Sequence, residues 1–360
     1  MSFKKTKTSI GLIVLAIGIL SSNLATAQAK WDYLPPRGYV AHKVEQPLTI
    51  DGKAEKAWDN APWSNYFNDI EGSKKPKPRF KTRMKMLWDA KYLYVYAELE
   101  EPHVWSYQTK RDCKIFIEND FEMFIKPSTM APTYGEFEMN ARGTVWDLYF
   151  HRPYRSGANY MESWDMRDVV VGVDVQGTIN NPADTDKGWS VEVAFPWSAL
   201  RDLGRKSPCN DGDIWRVNFS RVEWEQAVSA DGKYIHKVGP HQESLKEDNW
   251  TWSPQRVVQM HEPECWGYLQ LSSELNGNVE FKRPSEETIL QTLIYLLRSK
   301  RENMEAKTIK ALIGDDKIQV KGFNFKAEMQ ESLFGFYIII TNVDNGERYA
   351  IDEREVIKKL

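Results

Sequence analysis

The sequence predicts a mainly β protein: an antiparallel β-sandwich of jelly-roll type, followed by a small α+β C-terminal extension. Three observations carry this reading. Short runs alternate apolar and polar residues with period 2, turn residues separate them, and long helical patterning is almost missing before Ser285.

The elements follow in order. Lys4, Lys5 and Lys7 precede an apolar run from Ile10 to Leu20, too short to span a bilayer, and Ala25-Thr26-Ala27 is an A-x-A cleavage site. Residues 1–27 therefore read as a signal peptide, and the mature protein is expected to be secreted or periplasmic, with no membrane span after its removal. Residues 28–46 contain Pro35-Pro36 and little periodicity, and are expected to be an extended lead-in. The sandwich is expected over residues 47–272. It opens with a short strand, Pro47 to Asp51, running into an Asp-Gly turn, then one or two helical turns around Trp58. Lys74 to Arg79 is basic and proline-rich, an exposed loop.

Regular alternation starts at Thr82. Met84, Met86 and Trp88 share one face, Asp89-Ala90-Lys91 turns the chain, and Leu93, Val95, Ala97 and Leu99 return along it. In Asp120 to Ile125, Phe121, Met123 and Ile125 point one way and Glu122 the other. In Glu136 to Asn140, Phe137 and Met139 oppose Glu138 and Asn140 in the same manner. Residues 144–150, 168–175, 189–195, 215–220 and 266–271 supply further strands. Residues 273–360 change character. Ser285 is placed to cap a helix striped by Ile289, Leu290, Leu293, Ile294 and Leu297. Strands are expected at 318–326 and 333–343, with Asp344-Asn345-Gly346 as a hairpin turn.

Charge excludes some classes of partner. With 48 basic and 51 acidic residues, net −3, nothing suggests nucleic acid or an anionic membrane surface. Fourteen Trp, 16 Tyr and 15 Phe instead favour aromatic binding surfaces. The three cysteines, Cys113, Cys209 and Cys265, form no zinc spacing and allow one disulfide at most; three unpaired thiols is the equally simple reading. Nucleophile-elbow, zinc-protease, P-loop and dinucleotide motifs are missing. His261 has no second ligand at metal spacing. Asp184-x-Asp186 and Asp211-Gly212-Asp213 read as turns before they read as calcium donors.

Two constellations remain. Glu122, Glu138, Glu192 and Glu223 lie on or beside expected strands, where a pair of carboxylates would suit a glycoside hydrolase or lyase. Asn249-Trp250-Thr251-Trp252-Ser253-Pro254 sets two indoles beside polar groups, which suits either a sugar-stacking platform or a plug at the end of the sandwich.

An ordered set of short motifs resembles the family 9 carbohydrate-binding modules, in their longer exported form with a C-terminal extension. The motifs are Ile50-Asp51-Gly52 with Trp58 and Ala61; Trp88-Asp89 with Tyr92-Leu93-Tyr94-Val95; Asn119 to Phe124; Glu136 to Asn140; Gly188 to Trp197; Trp215 to Arg221; Asn249 to Pro254; and Trp266-Gly267-Tyr268-Leu269. The resemblance implies a non-catalytic protein that binds an oligo- or polysaccharide in polysaccharide-degrading bacteria. It implies Glu122 as a hydroxyl acceptor, Asn140 as a polar contact, and Asn249 with Trp252 as the loop of one stacking platform. The other platform falls near Phe116, with Trp105 further upstream, and Glu138 stands where some members carry a basic residue. Glu138 and Asn218 are further hydrogen-bonding candidates. No cofactor is implied; some relatives hold structural calcium, and no motif here assigns it.

Overall fold

The computed structural model describes residues 35–204, 209–275 and 279–360. The expected signal peptide lies outside the described residues. The first strands are β1 (Gly38–Lys43), β2 (Asn68–Asp69), β3 (Thr82–Trp88) and β4 (Tyr92–Glu100). A meander of β5 (Asp120–Lys126), β6 (Tyr134–Asn140) and β7 (Val145–Phe150) follows. Then come β8 (Val170–Gln176), β9 (Gly188–Pro196) and β10 (Ile214–Glu223). A small hairpin, β11 (Gln226–Val228) and β12 (Tyr234–His236), precedes β13 (Asp248–Thr251) and β14 (Gly267–Ser272).

Hydrogen bonding joins these strands in the order β7-β6-β5-β10-β14-β1-β3-β4-β9-β8, with β13 and β2 branching from β10. The sheet curls until its two halves face each other, so that alternate apolar residues meet across one core. Phe137 of β6 meets Phe195 of β9 edge to face at 5.0 Å, and Trp215 of β10 meets Trp197 at 5.3 Å.

Residues 38–43, expected in an extended lead-in, form a central strand instead. β1 runs parallel to both β14 and β3 and joins the two halves of the sheet. Its partner β14 is more than 200 residues away in the chain, so local pattern does not reveal it. Tyr39 and Ala41 are buried in the core on one face of the strand.

The Pro47-to-Asp51 strand does not form. There the backbone N–H groups of Asp51 and Gly52 donate to the buried Glu192 carboxylate, at 3.0 and 3.1 Å, and the Trp58 indole N–H donates to the same group at 2.6 Å. Gly52 sits at φ +86° with Val173 and Asp174 backbone atoms where a Cβ would stand, so the Asp-Gly pair is sterically required. Trp58 itself lies on a single 3-10 turn, Lys56–Asn60.

The C-terminal extension comprises helices α1 (Glu287–Glu302) and α2 (Ile309–Ile313) and a five-stranded antiparallel sheet. Its strands are β15 (Lys317–Val320), β16 (Phe323–Ser332), β17 (Gly335–Asn342), β18 (Arg348–Asp352) and β19 (Ile357–Lys359). The expected stripe on α1 packs against Phe325, Ile338, Ile340 and Ile351. Ser285 does not cap α1, which starts two residues later without a side-chain cap. The expected 318–326 strand is broken at Lys321-Gly322, both at positive φ, which turns β15 back along β16.

Among the described residues no helix is long and apolar enough to cross a membrane. The three cysteines form no disulfide. Asp186 accepts the Val104 and Thr178 backbone N–H groups, and Asp211 and Asp213 accept those of Ser273 and Asn210, as turn residues do.

Candidate functional site

The β5–β6–β7 meander has a second face, turned away from the sandwich core. Register places Glu122 opposite Glu138, Phe124 opposite Glu136, and Glu138 opposite Trp146. On the other side of β5, β10 sets Ser220 opposite Glu122, and β13 sets Asn249 opposite Val222. Period-2 alternation thus gathers Asp120, Glu122, Glu136, Glu138, Trp146 and Asn249 on one surface.

This surface is covered. Glu122, Glu136 and Glu138 are only 3, 5 and 2 % exposed. Loops over it leave a pocket of about 430 Å³, walled by Phe116, Trp146, Tyr154, Tyr160 and the Val258–His261 segment. Phe116 and Trp146 stack at 6.0 Å and 28°, and Tyr160 meets Trp146 edge-on at 6.0 Å. Below them Tyr134 stacks on Phe150 at 4.6 Å and packs edge-on against Trp266, which stiffens the floor.

Burial dominates the electrostatics. It pushes the Glu122 carboxyl up to about 7. Burial, then repulsion from Glu122, drives Asp120, Glu136 and Glu138 well above the usual carboxylate range. Asp120 Oδ1 accepts the Val222 N–H at 2.9 Å, and Glu138 Oε2 accepts the Phe116 N–H at 3.1 Å. Asp120 Oδ2, Glu122 Oε2 and the Trp146 indole N–H have no partner. His261 Nδ1 lies 2.8 Å from the Tyr134 hydroxyl. Burial, with Arg155 nearby, pulls its imidazole down to about 3, so it is neutral.

Of the residues expected to contact a ligand, Glu122, Glu138, Phe116 and Asn249 line this pocket. The others lie elsewhere. Trp252 is 1 % exposed and belongs to the sandwich core, its ring against Phe219 and filling the space where a Gly267 Cβ would stand. It therefore presents no open ring to a sugar and is not a stacking platform. The reason is geometric: Asn249 and Trp252 are three residues apart, so a strand carrying one on the pocket face sends the other toward the core. Trp250 also packs in the core. Trp105 is buried beside Tyr107 and His236, away from the pocket. Asn140 closes the β6–β7 turn, donating to Gln108 O and accepting the Arg142 and Thr144 N–H groups. Asn218 donates to Ser253 O and accepts Ser253 N–H, which fixes the start of the covering loop.

Of the other candidate acids, Glu192 holds the Asp51-Gly52 turn and Glu223 pairs with Arg221 at 2.8 Å. Sequence reasoning missed Trp146, Glu136, Tyr154, Tyr160 and His261 as pocket residues. Glu136 was within reach, because it shares a strand and parity with Glu138; Trp146 lies on an expected strand, but its face depends on the β6–β7 register. Tyr154 comes from a single 3-10 turn, and Tyr160 and His261 from loops, without a periodic signal.

The C-terminal extension holds one wall in place. Arg155 donates to Glu262 at 2.6 Å, Glu264 at 3.0 Å and Glu355 at 2.9 Å, and Arg298 of α1 pairs with Glu262 and Glu264. These charges anchor the loop that carries His261 to the C-terminal unit.

A family model described as carbohydrate family 9 binding domain-like matches residues 50–274. The chain belongs to this family. The match covers the expected motifs from Ile50 onward, and it leaves out β1 and the C-terminal extension. Three solved structures are similar at low identity. A family 9 carbohydrate-binding module from Caldicellulosiruptor kristjanssonii in complex with cellotriose is 13 % identical, covering 69 % of this chain and 100 % of that one, at a TM-score of 0.43. The same organism's module in complex with glucose is 15 % identical over 68 % and 100 %, at 0.41. A putative carbohydrate-binding protein from Bacteroides uniformis ATCC 8492 is 14 % identical over 66 % and 99 %, at 0.49. No curated protein matches the chain significantly.

Proposed function

We propose that the pocket over β5, β6 and β7 binds a carbohydrate and does not cleave it. One observation carries the reading: aromatic walls, Phe116 and Trp146, stand beside a carboxylate oxygen and an indole N–H that have no partner. Aromatic faces take the C–H face of a sugar ring, and the unpaired acceptor and donor take its hydroxyls. A charge-assisted bond from a hydroxyl to Glu122 is worth more than a neutral one. Family membership supports the same ligand class. In the solved relatives the ligands are cellotriose and glucose; cello-oligosaccharides are therefore the first to try here.

A hydrolase would need carboxylates flanking the bond from two sides, whereas Glu122 and Glu138 rise side by side from neighbouring strands of one face. The aromatic partner is Phe116 with Trp146, in place of Trp252. We also place the mature protein outside the cytoplasm, on the strength of the N-terminal leader.

The test is calorimetric titration against mono- and oligosaccharides, with product analysis on a polysaccharide panel. Saturable binding, lowered about tenfold or more by Phe116→Ala or Glu122→Gln, and no released product is the expected result. A folded protein that binds no sugar in the panel, or equal affinity in both variants, overturns the site; released product overturns the non-catalytic reading.

A further inference from the structure

Two buried cations face each other across β5 and β10 without a carboxylate partner. Register sets Arg216 directly opposite Lys126, on the strand face that carries Glu122 and Phe124 but at its far end. Lys126 is 6 % exposed and Arg216 4 %. Lys126 Nζ donates to Ser128 O at 2.6 Å; Arg216 donates to Trp266 O at 2.7 Å and lies over the Tyr268 ring at 3.8 Å. Among the described residues neither forms an ion pair. These bonds use one N–H of the three on Lys126 and one of the five on Arg216. Burial, and then Arg216, pulls the Lys126 ammonium down to about 7. Buried charges in folded proteins are normally paired, and two like charges side by side oppose the fold.

The second observation is the space beside them. Lys126 and Arg216 line a small cavity between the sandwich and the C-terminal extension, with room for about three waters. Thr129 lines it too, and α1 and β19 close it with Leu290, Ile294 and Ile357. Two acids, Glu264 and Glu355, also reach it, but they are spent elsewhere. Together with Glu262 they are held by Arg155, Arg298 and Arg301. Three carboxylates and three guanidiniums close on one another, and Lys126 and Arg216 are left as two surplus positive charges. A surplus of two, beside a space of this size, selects one small dianion.

We propose that this cavity binds a tetrahedral oxyanion of the phosphate or sulfate type, held by Lys126 and Arg216 between the sandwich and the C-terminal extension. A guanidinium offers paired N–H donors that match two oxygens of such an ion, and an ammonium offers a compact charge to a third. The ion touches elements of both units: β5 and β10 from the sandwich, α1 and β19 from the extension. Pro263 and Glu264, from the loop that walls the sugar pocket, line the same cavity. Bound oxyanion therefore ties the extension to the sandwich. The site is separate from the carbohydrate pocket and does not rest on it.

The experiment uses the full chain in a chloride buffer at neutral pH, free of sugar. Calorimetric titrations with inorganic phosphate, sulfate, glucose 6-phosphate and acetate are run at constant ionic strength, so that general salt effects are held fixed. Expected is one saturable site for phosphate and sulfate, and a melting temperature that rises with their occupancy. Lys126→Met keeps the length of the side chain without its charge, and should weaken the site about tenfold or more. Arg216→Lys keeps the charge without the fork, and should weaken it by a smaller factor. Phosphate should raise the melting temperature of the parent and leave that of Lys126→Met unchanged. Binding of the inorganic ions alone identifies a free oxyanion; binding of glucose 6-phosphate as well identifies a phosphate-bearing ligand. No saturable binding of phosphate, sulfate or the ester up to about 10 mM, or equal affinity in both folded variants, overturns the proposal. Acetate bound as tightly as phosphate overturns the tetrahedral class.

Discussion

On one face of the β5–β6 hairpin, Phe121, Met123, Ile125, Phe137 and Met139 join the sandwich core; on the other, Asp120, Glu122, Glu136 and Glu138 lie under the pocket. Both faces are buried. The first is buried among partners of its own kind, where each apolar contact stabilises the fold. The second is buried with carboxyls side by side, their ionisation opposed by burial and by one another, and with oxygens unpaired, which opposes the fold. A surface that is costly in the ligand-free state is one where a ligand has most to gain, and that difference is the ground for the site proposed above.

Substitutions on the two faces should therefore separate stability from binding. The largest effect is expected from the core side. Trp252→Ala should lose about 3–5 kcal/mol in denaturant unfolding, with sugar affinity per folded molecule unchanged. Loss of binding with stability intact would return Trp252 to the site and break the comparison.

Next comes the anchor of the pocket wall. Glu355→Gln weakens the ion pairs to Arg155 and Arg301, and should cost up to about 3 kcal/mol while also lowering sugar affinity through the His261 loop. Hydrogen exchange localised to residues 255–264 would report the loosening.

On the acidic face the sign reverses. Glu138→Gln removes one of two buried carboxyls directly opposed across the strands, whose ionisation burial and its neighbours oppose, and should raise stability by about 1 kcal/mol. A fall in melting temperature would show that Glu138 makes a net favourable contact.

The pH dependence is the finest probe. Burial raises the Glu355 carboxyl, but Arg155, Ser156 and Arg301 outweigh it and hold it at about 2, against an ordinary value of 4.5. Its stabilising contribution is complete above about 4.5 and is lost as pH falls toward 2. His261, lowered from 6.5 to about 3, adds stability above 6.5 that is lost as pH falls toward 3. Facing His261 are Tyr134, Tyr154, Glu136 and Arg155. Between pH 7 and about 4.5 the raised carboxyls of Asp120, Glu122, Glu136 and Glu138 gain stability as they protonate and oppose the His261 loss, so urea titrations should show the clear fall only below about 4.5. In Glu355→Gln the loss between pH 4.5 and 3 should shrink.

Much of the hairpin is legible in the sequence. The strands around Phe121 and Phe137 and the carboxylates of Glu122 and Glu138 on their far side follow from alternation alone. The same rule, applied to Asn249 and Trp252, would have separated them had residues 248–251 been recognised as a strand; four residues are too few to show a period. β1 was missed because its partners are distant in sequence and its own pattern is short. Tyr154 reaches the pocket from a short 3-10 turn and Tyr160 and His261 from loops, whose course depends on what they pack against.

By itself, then, the sequence determined a sandwich of alternating strands, an acidic face on β5 and β6, and a helix with an apolar stripe, because side-chain direction in a strand or helix is a local property. Only the tertiary structure decided that the acidic face is covered and that the indoles of Trp250 and Trp252 are core. Whether a face is wet, buried or half-open is set by segments far apart in the chain. Here these are the 255–264 loop and the C-terminal extension that anchors it through Glu355.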